Sequence, residues 1–289
     1  MARPTEPITL LVLRKTKLGE TDLIITGFSD EGVQVRAVAK GARRPGSRLG
    51  SNLELYSVAR VLVYRSKGLD IITESQGITS NQQVRSDVLH SAGAAIIVEF
   101  LEKATRDGME EPRLFPLSVE ALRCVGAVGE NGIALICAAA LWKMSAQLGF
   151  APQLGECIRC GRKLIVRRTE GTTPSHESLH APTPFAPQEA SSENLAVRNP
   201  GVFAFSLTQG GAICSECCEQ GGGGEDALPG ADRIEWIRAL IGSRFIDLEP
   251  LAHGEESQAG PGLLRLAGEW LSIHLNIRLK SLDFLLKLG

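Results

Sequence analysis

Val33-Gln34-Val35-Arg36-Ala37-Val38-Ala39 places an apolar side chain at every second position, with Gln34 and Arg36 between the first three. A period of two with one polar face marks a half-buried strand. Lys40-Gly41-Ala42-Arg43-Arg44-Pro45-Gly46-Ser47-Arg48 follows it, a glycine-bearing turn loaded with cations. Four more runs flank this one: Ile8–Leu13, Leu23–Phe28, Tyr56–Tyr64 and Leu69–Glu74. Gly19-Glu20, Asp30-Glu31-Gly32, Arg44-Pro45-Gly46 and Lys67-Gly68 punctuate them as turns. Five short strands at this spacing predict a small barrel or sandwich over residues 1–80. A five-stranded barrel of the oligonucleotide-binding (OB) type fits the count, with a curled SH3-like barrel as the competing arrangement.

Beyond residue 80 the period changes. Val84, Val88, Ala92, Ala95, Ile96 and Phe100 recur at helical spacing, as do Leu114, Leu117, Val119 and Leu122. Ile133–Leu148 reads as a long apolar helix stopped by Gly149. Residues 81–154 are therefore expected to be the first part of a helical domain. Helical spacing returns over Asp232–Leu248, with Asp232 as N-cap, and over Leu263–Leu288. These form a second helical part within 221–289. Residues 155–220 lie between the two. Their 169–200 portion is rich in Pro, Ser, Thr and Glu with few large apolar residues, and reads as an insertion that does not fold by itself. Gly221–Gly224 reads as a flexible link. The fold class is α+β and multidomain.

The whole chain has 289 residues, 43% of them hydrophobic and 22% charged, so it is expected to bury a core. Its longest apolar runs are about half the roughly 18–20 residues that a membrane span needs. Met1–Pro7 has none of the pattern of a secretory leader, so a cytoplasmic location with no membrane contact is expected. The net charge of −2 alone argues against a nucleic-acid binder. The distribution argues the other way. Between residues 36 and 67 stand eight cations, Arg36, Lys40, Arg43, Arg44, Arg48, Arg60, Arg65 and Lys67, against Glu54 alone. Between residues 219 and 256 nine acids stand against three arginines. Such asymmetry points to an anionic partner at the basic end. The basic loop fails the P-loop pattern, because no Lys follows Gly46. The reading that survives is contact with a polyanion backbone, with Tyr56 and Tyr64 as stacking surfaces for unpaired bases. A solvated basic loop is the plain alternative.

Cys157-Ile158-Arg159-Cys160 and Cys214-Ser215-Glu216-Cys217 are two C-x-x-C pairs. Each pair sets two sulfurs on one turn, and two pairs are the usual mark of a four-thiolate zinc ribbon. Gly161 permits a bend after the first pair, and Gly210-Gly211 a tight turn before the second. The long interval between the pairs is tolerated, because loop closure costs rise only logarithmically with length. Four thiolates close the metal shell, so structural Zn2+ is expected and no catalytic residue is assigned. Cys218 is given no ligand role. A nucleobase deaminase is excluded, because His176-Glu177 has the wrong spacing and Glu156 stands where proline belongs.

Several stretches together resemble the RecO family of bacterial recombination mediators. They are Gly19-Glu20-Thr21-Asp22-Leu23-Ile24, Arg36 to Pro45, Ser47-Arg48-Leu49, and Leu55–Tyr64 with Gly68-Leu69-Asp70. Leu148-Gly149-Phe150-Ala151-Pro152-Gln153-Leu154 leading into Cys157 is similar to the family's entry to its zinc segment. His274-Leu275, Arg278-Leu279-Lys280-Ser281 and Phe284-Leu285 resemble its terminal helix. Residues 169–200 depart from the family, whose cysteine pairs are usually close together. The resemblance implies an N-terminal OB barrel, a helical domain and a zinc segment inserted between its helices. It implies a non-enzymatic role in DNA repair at the nucleoid. Such proteins bind single- and double-stranded DNA, anneal complementary strands, and help load the RecA recombinase with RecR and often RecF. Carried over by position, Lys40, Arg43 and Arg44 are the DNA contacts; the other five cations are added from charge. The family often recognises the acidic, apolar C-terminal tail of single-stranded-DNA-binding protein, for which Arg278, Lys280 and Lys287 are candidates beside the alternative of a solvated face. The competing class is a zinc-bearing DNA-binding transcription regulator or an interaction scaffold. The helices carry no dense basic stripe for reading base edges.

Overall fold

The computed structural model describes residues 5–105, 109–164, 202–222, 227–229 and 231–288. The insertion expected at 169–200 and part of the Gly221–Gly224 link lie outside the described residues.

Five strands, β1 (Thr5–Leu18), β2 (Asp22–Ser29), β3 (Gln34–Ala39), β4 (Val58–Tyr64) and β5 (Asp70–Thr79), close into a barrel in the order β1-β2-β3-β5-β4. Only β3 and β5 run parallel. A short helix, α1 (Arg48–Asn52), links β3 to β4, capped by the Ser47 hydroxyl accepting from the Gly50 amide at 3.2 Å. This is the OB architecture and not the SH3-like alternative. The alternation at 33–39 holds: Val35, Ala37 and Ala39 are buried inside and Arg36 is exposed outside. Leu10-Leu11-Val12-Leu13 breaks the alternation for a physical reason. Leu10 and Val12 fill the barrel, while Leu11 and Leu13 point outward into a second core shared with the helices. A strand buried on both faces reads as a continuous apolar run.

The helical part contains α2 (Val88–Ala104), α3 (Leu114–Ala127) and α4 (Ile133–Gln147). A small three-stranded sheet follows, with β6 (Val202–Ser206) between β7 (Gly211–Cys214) and β8 (Ala227–Pro229), and with the single turn α5 (Ser215–Cys217) after β7. Then come α6 (Ala231–Gly242), α7 (Phe245–His253), α8 (Gly260–His274) and α9 (Lys280–Leu288). Apolar on nearly every side, α4 lies at the centre, packed by α2, α3, α6, α7 and α8.

Two stretches that read as single helices are each broken in two. Asp232–Leu248 divides into α6 and α7: the Lys143 ammonium donates to the Ile241 carbonyl at 2.9 Å and to the Ser243 carbonyl, ending α6, and Asp247 caps α7 by accepting from the Arg244 amide at 3.2 Å. Leu263–Leu288 divides into α8 and α9 at Asn276, which has φ +54°. Asn is one of the few residues that adopts this left-handed conformation readily.

The barrel is docked on the helices through polar contacts as well. The Gln34 amide nitrogen donates to the Leu101 and Glu102 carbonyls at the end of α2, at 3.3 and 2.8 Å. Arg14 pairs with Glu102 at 2.6 Å. No helix among the described residues is long and apolar enough to cross a membrane.

Candidate nucleic-acid interface and metal centre

The outer face of β1-β2-β3 is built around β2. Arg14 and Arg36 both stand opposite Thr26, and Thr16 and Val38 both stand opposite Ile24. The result is a half-buried apolar strip, Ile24 and Val38, bordered by cations. In OB folds the face of strands 2 and 3 is where oligonucleotides lie.

The cationic loop after β3 is held rigidly against the β1–β2 turn. The Arg43 guanidinium donates to the Gly19 carbonyl at 3.0 Å and to the Glu20 carbonyl at 2.8 Å. Its amide donates to the Thr21 carbonyl at 2.9 Å. The Asp22 carboxylate accepts from the Gly41 amide at 2.8 Å and the Thr21 hydroxyl at 2.9 Å, and these bonds hold its pKa below the usual carboxylate range. Lys40, Arg44 and Arg48 project from this fixed loop, exposed.

The eight sequence-selected cations are not equivalent. Arg36, Lys40, Arg44, Arg48, Arg60 and Lys67 are exposed and form no ion pair among the described residues. Arg43 is committed to backbone carbonyls. Arg65 is bound to Glu6 at 3.0 Å and Asp70 at 2.7 Å. Arg60 faces Gln76 of β5, whereas Ala37 of β3 is level with Asp70, so Arg60 lies on the order of 20 Å along the sheet from Arg36. It belongs to another part of the surface. Charge counting over 36–67 missed Arg14 and Lys17. The signal was present but faint: β1 continues past its apolar run as Arg14-Lys15-Thr16-Lys17-Leu18.

Tyr56 is not a stacking surface. It has φ +67°, its side chain is 4% exposed, and its hydroxyl donates to the Ser91 carbonyl of α2 at 3.2 Å. The Tyr56 carbonyl accepts from the Asn81 side-chain amide at 2.8 Å, so both ends of the residue are fixed between barrel and helices. Tyr64, at the end of β4, remains half-exposed.

Cys157, Cys160, Cys214 and Cys217 converge, all four sulfurs lying within 4.8 Å of one another. Cys160 and Cys214 are 3.7 Å apart. A tetrahedral ion with metal–sulfur bonds of about 2.3 Å requires sulfurs about 3.8 Å apart, so the spacing fits. The first pair is wrapped by a tight turn in which the Gly161 amide donates to the Cys157 carbonyl at 2.9 Å, with Gly161 at φ +71°. The second pair begins at the end of β7. Gly211 allows β7 to press on the segment before Cys157: a Cβ there would lie 2.5 Å from the Gln153 carbonyl oxygen. Gln153 and Gly210 join the two segments, the Gln153 amide donating to the Gly210 carbonyl at 2.9 Å. Arg162 bridges to Glu216 across the pairs at 2.6 Å.

The electrostatics divide the thiols. Burial opposes ionisation of Cys157, but the amides of Cys214, Cys160 and Arg159 aimed at its sulfur pull it down to about 6. The neighbouring thiols respond in the opposite sense. Burial raises Cys214, and contact with the Cys214 sulfur, then burial, pushes Cys217 up to about 12. One thiol is thus readily ionised, and a bound metal ion would bring the others to the thiolate form. The four cysteines can therefore hold one; Cys218, half-buried beside them, is not in the converging set.

A cavity of about 620 Å3 opens where the end of α2 meets Leu148, Phe150 and the α8–α9 connection. Ile277 and Phe150 give it apolar lining, and Lys103, His274 and Arg278 give it polar lining. Of the three terminal cations singled out from the sequence, Arg278 lines it, whereas Lys280 and Lys287 are exposed on α9.

Two family models match the chain: that for the N-terminal part of recombination protein O over residues 8–81, and that for its C-terminal part over residues 85–173. The DNA repair protein RecO of Desulfitobacterium hafniense (strain DSM 10664 / DCB-2) is 33% identical over 211 residues, which is 73% of this chain and 64% of that protein. The match thus spans less than two thirds of that relative's length. The DNA repair protein RecO of Bacillus cereus (strain AH187) is 31% identical over 212 residues, 73% of this chain and 69% of that protein. That of Bacillus pumilus (strain SAFR-032) is 31% identical over 153 residues, 53% of this chain and 59% of that protein. With barrel and helices each matched in chain order and identity sustained over most of the sequence, the chain belongs to the recombination protein O family of DNA repair proteins.

Proposed function

We propose that this chain binds single- and double-stranded DNA on the β1-β2-β3 face of its barrel and anneals complementary strands. With RecR and RecF it helps load the RecA recombinase onto DNA coated by single-stranded-DNA-binding protein. The observation that carries the DNA reading is the set of exposed cations without ion pairs among the described residues, Arg36, Lys40, Arg44 and Arg48, around the Ile24–Val38 strip, with Lys67 on the β4–β5 loop. Phosphates neutralised by these side chains release condensed counterions, so affinity falls with salt. Base faces then rest on the apolar strip rather than being read at their edges, which gives binding without sequence preference. Two strands held with their charges screened and their bases free can pair, which is annealing. The roles with RecR, RecF and RecA rest on family membership alone.

The test is the salt dependence of binding to a single-stranded oligonucleotide. Replacing Arg36, Lys40 and Arg44 together by Ala should flatten the log–log slope by about 2, at roughly 0.7 per phosphate contact. Arg43→Ala should act differently, because Arg43 positions the loop: it should weaken binding while also lowering the thermal midpoint. An unchanged slope in the triple variant places the DNA elsewhere. Strong preference for one duplex sequence supports the regulator reading instead.

The metal we assign is zinc, in a structural role: four thiolates at tetrahedral spacing leave no open position. Elemental analysis should find about one zinc per chain, and Cys157→Ser should lose it along with the protection of β6 and β7 against amide exchange. Full metal content in that variant would refute the ligand assignment. The cavity we assign to the acidic, apolar tail of single-stranded-DNA-binding protein. Arg278 meets its carboxylates and Phe150 and Ile277 its apolar end.

A further inference from the structure

We propose that the cysteine quartet controls this cavity: a metal ion bound at Cys157, Cys160, Cys214 and Cys217 holds in place one wall of the pocket on which an acidic, apolar peptide docks. The binding arm of the proposal rests on the cavity reading given above; the structural arm does not.

The physical connection is short and continuous. Phe150 lines the cavity, and Cys157 is seven positions further along the same segment. Between them Gln153 is bonded to both sides of Gly211: its amide donates to the Gly210 carbonyl at 2.9 Å, and its carbonyl accepts from the Ala212 amide at 2.9 Å. Ile158, inside the first cysteine pair, donates its amide to the Ala212 carbonyl at 3.0 Å. The metal-bearing segment before Leu164 and the β6–β7 hairpin are thus sewn together, and the metal closes the seam at its cysteine end.

The other end of the same hairpin rests on the cavity wall. His274 lines the cavity, and its Nε2–H donates to the Leu207 carbonyl in the β6–β7 turn at 2.7 Å. Trp270, one turn earlier on α8, stacks on Phe205 of β6 with ring centres 5.9 Å apart, and on the His274 ring at 3.8 Å. Its indole N–H donates to the Phe150 carbonyl at 3.1 Å. His274 is therefore held directly by the hairpin of the cysteine module, whereas Phe150 is held by Trp270 of α8, which itself stacks on that hairpin, and by the short chain through Gln153 to Cys157. The occupant follows from charge and shape: the exposed Arg278 cation beside Phe150 and Ile277 suits a peptide that combines carboxylates with a large apolar residue, while Lys103 at the same wall is paired with Glu99 at 2.8 Å. Binding energy at one site that depends on the state of the other must be reciprocal.

Three readouts test this on the full chain. The first is affinity for a labelled peptide of aspartates closing on Leu-Phe, with zinc bound and after chelation. The second is the rate of zinc release to a metal-sensing dye, with and without that peptide. The third needs no ligand: the methyl NMR signal of Met109, which lines the cavity and is one of only three methionines. The expected result is about tenfold weaker peptide binding without zinc, zinc release slowed about tenfold by peptide, and a displaced Met109 signal on chelation. Peptide binding of equal strength in both states, with Met109 unmoved, overturns the coupling and leaves the pocket standing. No peptide binding in either state, but a displaced Met109 signal, overturns the pocket reading and supports the coupling. No binding and no displacement overturns both. Because metal loss can unfold the module outright, His274→Phe provides a second probe. It keeps all four thiols and a ring against Trp270, and removes the bond to Leu207 together with one polar group of the cavity wall, whose own effect is read from peptide affinity for the zinc-loaded variant. Zinc should stay bound while the peptide's protection of it falls to about threefold or less; protection unchanged from the parent chain overturns the proposed route.

Discussion

Glu99, half-buried where α2 meets α9, accepts from the amides of Lys280 and Ser281 at 3.1 and 2.9 Å and from the Ser281 hydroxyl at 2.5 Å. One carboxylate thereby caps the first turn of α9 from another helix, while Lys103 pairs with it at 2.8 Å. Partial burial works against its charge, but the bonds from Lys103, Ser281 and Lys280 outweigh it and hold the group at about 2, below its ordinary 4.5. A carboxylate depressed by folding contributes fully above its unfolded value and loses that contribution as the pH falls through the folded one. Glu99→Ala should therefore cost about 1 kcal/mol at neutral pH, the usual worth of a cap. The deficit should shrink between about pH 4.5 and pH 2. Thermal unfolding of both chains across that range checks this, and a gap independent of pH would mean that Glu99 acts by packing alone. At this scale the sequence was legible for residue types and not for partners. The cysteine quartet and the exposed Arg36 were readable because spacing and alternation are local. The commitments of Arg43 to Glu20, of Tyr56 to Ser91 and of Glu99 to Ser281 join residues 23, 35 and 182 positions apart, and no local period encodes them.

Elements were readable where one physical signal dominated. The five barrel strands alternate or are bounded by turns, and α4 is apolar throughout, so both declared themselves. The strands β6, β7 and β8 did not: they are three to five residues long, and β7 is buried on both sides rather than alternating. The two broken helices failed for a different reason. Continuous helical spacing conceals a stop made by a tertiary group at Ser243 and one made by the left-handed backbone of Asn276. Lys143 illustrates this. It sits in the most apolar helix with its ammonium at the C-terminal end of α6, bonded to the Ile241 and Ser243 carbonyls and 5.5 Å from the Phe245 ring centre. A cation there complements the negative end of the helix dipole and satisfies carbonyls that have no helical partner. Lys143→Met keeps the stem's packing and removes the donors. It should destabilise by about 1–3 kcal/mol, the cost of leaving such groups unsatisfied, and should speed amide exchange at the end of α6 before that of the barrel. Uniform loss of protection across the whole chain would instead make Lys143 a general packing residue.

For the molecule as a whole, the decisive feature is that the barrel does not own all of its surface. Leu11, Leu13, Phe28, Tyr56 and Val58 are barrel residues, yet they belong to the core that includes Phe100, Leu101 and Trp142 of the helices. Gln34 and Arg14 add polar contacts to the end of α2. The cationic face at Arg36 and Lys40 is exposed beside this junction, so the helices serve as a platform that keeps one side of the barrel dry while the other stays open. A chain cut after residue 81 should therefore carry an apolar patch where the helices were, and contiguous patches of that kind drive association. The fragment should self-associate at micromolar concentration by light scattering and bind a hydrophobic dye. Leu11→Ser with Phe28→Ser should return it to a monomer, since both side chains point away from the barrel interior. A monodisperse fragment that unfolds cooperatively at the parent temperature would show that the barrel is self-sufficient. In that case the shared core would be a docking contact between two independent units rather than a condition for the barrel's fold.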